Sequence, residues 1–185
     1  MDMPMHEGFA VAPQSRKDIV ATASHARSIL KLPNGKINIP KLLDELTGFG
    51  IYYDVFDRQS APVPKEVEAC YVPEDRTMYI RDTVFEQMCE GGQRAVFTFG
   101  HELGHALLAH RRTYNRQSAS SLPAYCNSEW QANSFSAEFT MPISQIKAFR
   151  LLTANAIAGH FGVSMAAARV RLEELIKRGD IRKNP

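Results

Sequence analysis

The segment His101-Glu102-Leu103-Gly104-His105 holds the side chains with the clearest chemical potential in this sequence. Residues four positions apart lie on one face of an α-helix, so both imidazoles could bind a single metal ion. Glu102 is rotated by about 100 degrees from His101 and could reach a water molecule on that ion without binding the ion itself. This spacing predicts a zinc site in which Glu102 acts as the general base for peptide hydrolysis.

A catalytic zinc keeps three protein ligands and one open position, so a third ligand must come from another element. The best candidate is Glu129, which lies in the first turn of a second strongly helical segment. The chain between His105 and Glu129 suits a loop followed by an antiparallel helix, and Glu138 is the weaker alternative. Asn133, one turn beyond Glu129, is predicted to orient a ligand from outside the coordination shell. A first-turn acid that only stabilises the helix dipole is the other interpretation of Glu129.

Four further residues are candidates either for filling the open zinc position or for stabilising the transition state. We hypothesise that the thiolate of Cys126, in the loop before Glu129, is an inhibitory fourth zinc ligand, the alternative being an ordinary loop cysteine. Hydrolysis also needs a group that stabilises the tetrahedral oxyanion. The candidates are Tyr114, Tyr125 and His110, although His110 could instead stabilise the C-terminus of its helix.

Two long helices must position these residues, and the hydrophobic pattern predicts them over 93–110 and 128–140. Gly100 and Gly104 lie inside the first helix, where each costs about 1 kcal/mol relative to alanine. We therefore expect another element to approach the helix closely at these two positions.

The rest of the chain alternates short helices and strands. Further helices are predicted over 15–32, 40–46, 83–89, 143–150, 153–160 and 165–178. Strands are predicted over 51–56, 67–72 and 77–81, the last two forming a hairpin. The predicted fold is α+β. Helices surround a small, mainly antiparallel sheet, the metal-binding helix packs on the second ligand-bearing helix, and the C-terminal tail is helical.

Composition and charge describe an ordinary globular protein. Of the 185 residues, 44% are apolar and 23% are charged, and the net charge of +2 gives no general sign of a nucleic-acid partner. The sequence predicts no membrane span and no signal peptide, and three cysteines without a pairing pattern favour a reducing cytoplasm. We expect a flexible leader (1–14), a zinc-peptidase domain (15–150) and a helix-turn-helix-like C-terminal segment (151–185) packed on that domain.

Two sequence blocks, 94–105 and 129–142, resemble the two signatures of the ImmA/IrrE family of zinc-peptidase-like proteins. The resemblance extends over about residues 35–175. It implies that His101, His105 and Glu129 bind zinc and that Glu102 is catalytic. Gly100 and Ser136 stand where alanine is usual in the family, and Cys126 stands where we expect a polar or basic residue.

The resemblance also implies a substrate. Members of the family typically cleave a helix-turn-helix repressor encoded nearby and so switch on stress, mobile-element or defence genes. In some antiphage operons such a peptidase responds to single-stranded DNA, which would make that DNA an activator.

A DNA-binding transcriptional regulator with a structural or vestigial zinc site is the alternative function. Residues 156–169 have the turn glycine and N-cap serine spacing of a helix-turn-helix. The basic residues that could contact phosphates are Arg169, Arg171, Lys177 and Arg178. Against this alternative, the second helix begins with Met165 and three alanines, which are poorly suited to reading base edges.

Overall fold

The computed structural model describes residues 8–57, 67–111 and 122–182. The α-helices in these ranges are α1 (Arg16–Ile29), α2 (Ile39–Thr47), α3 (Asp82–Cys89), α4 (Gln93–Leu107), α5 (Ser128–Thr140), α6 (Ile143–Ala148), α7 (Ala154–Phe161) and α8 (Met165–Lys177). The strands are β1 (Tyr52–Phe56), β2 (Ala69–Val72) and β3 (Thr77–Arg81). In the part of the chain so described, no helix combines the length and the apolar character that a membrane crossing requires.

The three strands form one sheet in the order β1-β3-β2. β2 and β3 pair antiparallel as the predicted hairpin, with Tyr71 opposite Met78. β1 pairs with β3 in parallel, with Tyr53 opposite Met78. The α+β class is confirmed, but the sheet is mixed rather than mainly antiparallel, because the chain crosses from one edge of the sheet to the other between β1 and β2.

Polar N-caps determine where α5 and α8 begin. The side chain of Asn127 accepts hydrogen bonds from Glu129 N (2.9 Å) and Trp130 N (3.0 Å) at the start of α5. Ser164 Oγ accepts from Ala167 N at 3.2 Å at the start of α8. Such caps satisfy N–H groups that have no partner within the helix. The cap at Asn127 therefore places Glu129 in the first turn of α5, as predicted.

The contact between α4 and α5 depends on glycine. A Cβ atom at Gly104 would lie 3.2 Å from Ala132 Cα, and one at Gly100 would lie 2.7 Å from Ser136 Oγ. The predicted close approach of a second element is confirmed, and that element is α5. Gly100 and Ser136, which both stand where the resemblance leads one to expect alanine, face each other, so the Ser136 side chain occupies the space that a Cβ at Gly100 would need.

Residues 8–14 form an extended segment alongside the residues that precede α5. Val11 N donates to Cys126 O (3.0 Å), Gln14 N donates to Tyr125 O (2.9 Å) and Ser128 N donates to Phe9 O (3.1 Å). We expected a flexible leader over 1–14, but residues 8–14 are hydrogen-bonded to the rest of the chain. The first seven residues of that leader lie outside the described ranges.

The C-terminal helices share the core of the rest of the chain. Ile157, Phe161 and Leu175 are almost completely buried and belong to the same apolar cluster as Ile19 and Phe99. α7 ends at Gly162, whose φ of 68° suits glycine, and Ser164 then caps α8. α7 and α8 are therefore joined by a tight turn and packed against the body of the molecule.

Arg171 on α8 is 2% exposed, so it cannot contact DNA phosphates as the sequence suggested. Its Nε donates to Met141 O at 3.1 Å, and its guanidinium forms an ion pair with the carboxylate of Glu138. The other Glu138 oxygen accepts from Ile143 N at 3.1 Å. Glu138 is thus engaged by the C-terminal segment and not by the histidines of α4.

Candidate metal centre

Three predicted ligands converge between α4 and α5. The Nε2 atoms of His101 and His105 lie 3.0 Å apart. Glu129 Oε2 is 3.2 Å from His101 Nε2, and Glu129 Oε1 is 3.4 Å from His105 Nε2. Their ligand atoms all lie within 4.8 Å of one another, which makes this trio the candidate metal cluster among the described residues.

The outer ring nitrogens of the two histidines have their own partners. His101 Nδ1 lies 3.1 Å from Asn133 Oδ1, and His105 Nδ1 lies 2.9 Å from His110 Nδ1. A histidine that donates through Nδ1 presents an unprotonated Nε2. Asn133 thus contacts the outer nitrogen of His101 without belonging to the cluster.

The chemistry of the donor set fits a metal cation. Two imidazole nitrogens and two carboxylate oxygens point acceptor lone pairs at one small volume, and only a cation or added protons can relieve their mutual repulsion. Two histidines and a glutamate are also one of the ligand sets of catalytic zinc sites. His101, His105 and Glu129 could therefore hold a metal ion, with a fourth position left open.

The charges of the cluster favour positive charge at its centre. Burial by itself raises the pKa of Glu129, but hydrogen bonds from His101 and His105 outweigh it and leave this pKa well below its usual range. Burial lowers the pKa of His101, but its hydrogen bond to Glu129 and the charge of Glu102 raise this pKa overall. Both shifts favour positive charge between the carboxylate and the imidazole, and a bound metal ion would supply that charge.

Glu102 lies beside the cluster without joining it. Its Oε1 is 4.0 Å from His101 Nε2, and its Oε2 accepts a hydrogen bond from Tyr71 N on β2 at 2.8 Å. The side chain is almost completely buried, and burial raises the pKa of its carboxyl. A carboxyl with a raised pKa, placed next to a metal site, can both accept and return a proton. The contact with Tyr71 has no sequence signal, because the donor is a backbone N–H.

His110 lies on the far side of His105 from Glu129. It is 2% exposed, and burial lowers its pKa to about 4. Its Nε2 lies 2.8 Å from Oε1 of Gln131, a fully buried residue that the sequence did not single out. This placement, against the outer nitrogen of a ligand, does not bring His110 to the open coordination position expected of an oxyanion donor.

The other predicted site residues are not part of the cluster. Cys126 is a half-buried residue of the short 3₁₀ turn before α5, and its thiol is not among the clustered ligand atoms of the described residues. The proposed inhibitory bond therefore has no support from the geometry. The side chain of Tyr125 is 52% exposed, and its carbonyl accepts from Gln131 Nε2 at 2.8 Å. Tyr114 lies outside the described residues.

Comparison with known proteins identifies a family for this chain and solved structures with a similar fold. The model of the IrrE N-terminal-like domain, a peptidase family, matches residues 67–173, a range that includes the whole metal cluster. A solved Mycobacterium tuberculosis transcriptional regulator has a TM-score of 0.56 and 15% identity, covering 84% of this chain and 46% of that chain. This chain thus spans less than half of that regulator, and at this identity the likeness concerns the fold alone. Among curated proteins, none matched the sequence.

Proposed function

This chain belongs to the IrrE N-terminal-like domain family, and we propose that it is a zinc-dependent endopeptidase. One observation carries the proposal: His101, His105 and Glu129 bring possible ligand atoms within 4.8 Å of one another, and Glu102 lies beside them. A structural zinc site has four protein ligands, whereas a catalytic site has three and an open position. The three clustered ligands, with an uncoordinated acid next to them, favour the catalytic type.

The roles of the residues follow from their positions. Zinc would supply Lewis acidity to the scissile carbonyl and to the attacking water. His101, His105 and Glu129 would hold the ion, and Glu102 would take a proton from the attacking water and pass it to the leaving amine. The Tyr71 N–H on Glu102 Oε2 leaves Oε1 as the oxygen nearer the cluster. Tyr114 and Tyr125 stay candidates for the oxyanion donor.

We propose a helix-turn-helix repressor as the substrate, with release of stress or defence genes as the result. The support is the resemblance of the two signature blocks and the family membership. The regulator that shares this fold is a transcriptional regulator by name, which is also compatible with a role in gene control. A cytoplasmic location and activation by single-stranded DNA stay predictions from the resemblance.

A DNA-binding regulator is the second candidate, favoured by the helix-turn-helix arrangement of α7 and α8. The exposed surface of α8 includes Met165 and Val170, which cannot hydrogen-bond to base edges. Arg171, the most central basic residue of α8, is buried in its ion pair with Glu138. These features make the peptidase the better supported proposal.

The decisive experiment is cleavage of the repressor encoded next to this gene by the zinc-loaded protein. Glu102→Gln should lower the rate by about 10²–10⁴-fold, since it removes the general base, while zinc content stays the same. Glu173→Gln, at an exposed acid on α8, is the matched control and should cleave normally. Equal cleavage by Glu102→Gln would refute the mechanism. Tight binding of duplex DNA by a zinc-loaded wild type that cleaves nothing would favour the regulator.

A further inference from the structure

Gln131 is held in one orientation by two backbone carbonyls. The side chain is fully buried, and its Nε2 donates to Ala12 O at 2.9 Å and to Tyr125 O at 2.8 Å. Carbonyl oxygens only accept hydrogen bonds, so the amide nitrogen must face them. The amide oxygen of Gln131 therefore faces His110, and reversing the amide would lose both bonds.

The orientation of Gln131 determines the tautomer of His110. The Oε1 of Gln131 can only accept, and it lies 2.8 Å from His110 Nε2. His110 must therefore carry its proton on Nε2. An imidazole ring with its single proton on Nε2 presents a lone pair at Nδ1.

The tautomer of His110 determines that of His105. The two Nδ1 atoms lie 2.9 Å apart, and one of them must donate. With a lone pair on His110 Nδ1, the donor is His105 Nδ1. With its proton on Nδ1, His105 has Nε2 free to bind a metal ion, and this atom lies 3.4 Å from Glu129 Oε1. The opposite tautomer of His105 would direct a proton at the place of the metal.

The backbone turns back after α4, and this turn places the His110 ring against the His105 ring. α4 ends at Leu107 rather than at His110, because Ala109 has a φ of 54°, a left-handed conformation that costs energy for a residue other than glycine. His110 N then donates to His105 O at 3.0 Å, and Ala109 N donates to Ala106 O at 3.3 Å. These two bonds close a Schellman motif. The contact between the two imidazoles is thus built into the end of the helix.

From these contacts we infer that His110 and Gln131 are positioning residues that fix His105 in its metal-binding tautomer. The hydrogen bonds that connect Gln131, His110 and His105 form a relay, and the carbonyls of Ala12 and Tyr125 hold Gln131 at its end. The inference deepens the proposed zinc site and rests on it, but it concerns the affinity of the site for metal and not the cleavage of any substrate.

One variant of Gln131, two variants of His110 and one control test the inference. Gln131→Met keeps the size of the side chain and removes its hydrogen bonds. His110→Phe removes the acceptor for His105, whereas His110→Asn puts Oδ1 near the former Nδ1. The control is Gln145→Met, at a glutamine of α6 whose buried Oε1 has no hydrogen-bond partner among the described residues.

Zinc affinity, measured by competition with a chelator, is the first readout. Gln131→Met and His110→Phe should bind zinc about 10–100-fold more weakly, as is usual when a partner of a zinc-bound histidine is lost. His110→Asn should recover most of the affinity, and Gln145→Met should match the wild type. Wild-type affinity in both Gln131→Met and His110→Phe would overturn the inference.

The ring tautomers, read from ¹⁵N NMR of histidine-labelled protein, are the second readout. In the zinc-loaded wild type, His110 should carry its proton on Nε2 and His105 on Nδ1. A proton on Nδ1 of His110 would overturn the inference, and this result needs no variant to fold. In Gln131→Met the His110 signals should lose the fixed tautomer, whereas a merely structural role would lower stability and leave the tautomers unchanged.

The two proposals fail in different ways. If the wild type binds zinc with these tautomers but cleaves no repressor, the peptidase proposal fails and the relay stands. If the wild type cleaves the repressor but His110 carries its proton on Nδ1, the relay fails and the peptidase stands.

Discussion

Each end of α5 carries a carboxylate, and the two carboxylates have different neighbours. Glu138, in the last turn, is 3% exposed and is paired with the guanidinium of Arg171. Glu129, in the first turn, faces the Nε2 atoms of His101 and His105 at 3.2 and 3.4 Å. The carboxylate of Glu138 is neutralised by Arg171, a cation of the same chain. The carboxylate of Glu129 instead lies among imidazole nitrogens that can bind a metal ion.

This difference shows how to separate a structural acid from a metal ligand on one helix. An acid whose partners are N–H donors needs no further cation. Glu138 is such an acid, and its ion pair with Arg171 joins α5 to α8. An acid that lies among imidazole nitrogens can share a metal cation with them. Three experiments test whether the two ends of α5 are as different as their contacts indicate.

The largest effect is expected at the Glu138 end. Arg171→Met should lower the free energy of unfolding by about 3–5 kcal/mol, because it leaves the Glu138 charge buried without its partner. Urea denaturation of the metal-free protein measures this loss. Arg169→Met, at an exposed position of the same helix, should change stability by about 0.5 kcal/mol or less. A small effect of Arg171→Met would mean that this ion pair does not hold α8 to α5.

The next largest effect is expected at the Glu129 end and should appear in zinc affinity. Glu129→Gln should weaken zinc binding by at least about 100-fold, because it removes a ligand, and loss of an outer partner alone costs about 10–100-fold. Chelator competition measures it. Glu138→Gln is the matched change at the other end and should leave zinc affinity within about threefold of wild type. Equal zinc affinities for the two variants would remove the distinction between the ends.

The smallest effect is expected at Asn133, the partner of His101. Asn133→Ala should weaken zinc binding by about tenfold, at the low end for such partners, because this residue is exposed and water can replace its oxygen. Asn133→Asp keeps an acceptor for His101 Nδ1 and should restore zinc affinity. If Asn133→Ala weakened zinc binding more than His110→Phe, the exposed partner would be the more important of the two histidine partners.

The sequence predicted most of the features that depend on residues close together in the chain. The spacing of His101 and His105 predicted that both lie on one face of a helix, and the hydrophobic pattern over 128–140 predicted the helix of Glu129. The turn over 73–76 predicted the β2–β3 hairpin. Each of these features depends on residues that are close in the chain, so periodicity and turn chemistry were sufficient.

Long-range pairing was not predictable from the same patterns. Arg171 was interpreted as a phosphate contact and Glu138 as a rival ligand, because nothing in a single sequence shows that they neutralise each other across the fold. The parallel pairing of β1 with β3 was missed, because a short strand carries no signal for its neighbour. Gln131 was missed because its partners include a backbone carbonyl, Ala12 O, 119 residues away.

The bond between Ala12 and Gln131 also has a kinetic consequence. Contacts distant in sequence form late, because closing a long loop costs entropy before the contact stabilises the fold. α4 can form locally, with both histidines on one face, before residue 12 meets residue 131. We therefore expect that His105 gains its preference for metal only in the last steps of folding. A chain in which α4 has formed would then bind zinc weakly until Ala12 reaches Gln131.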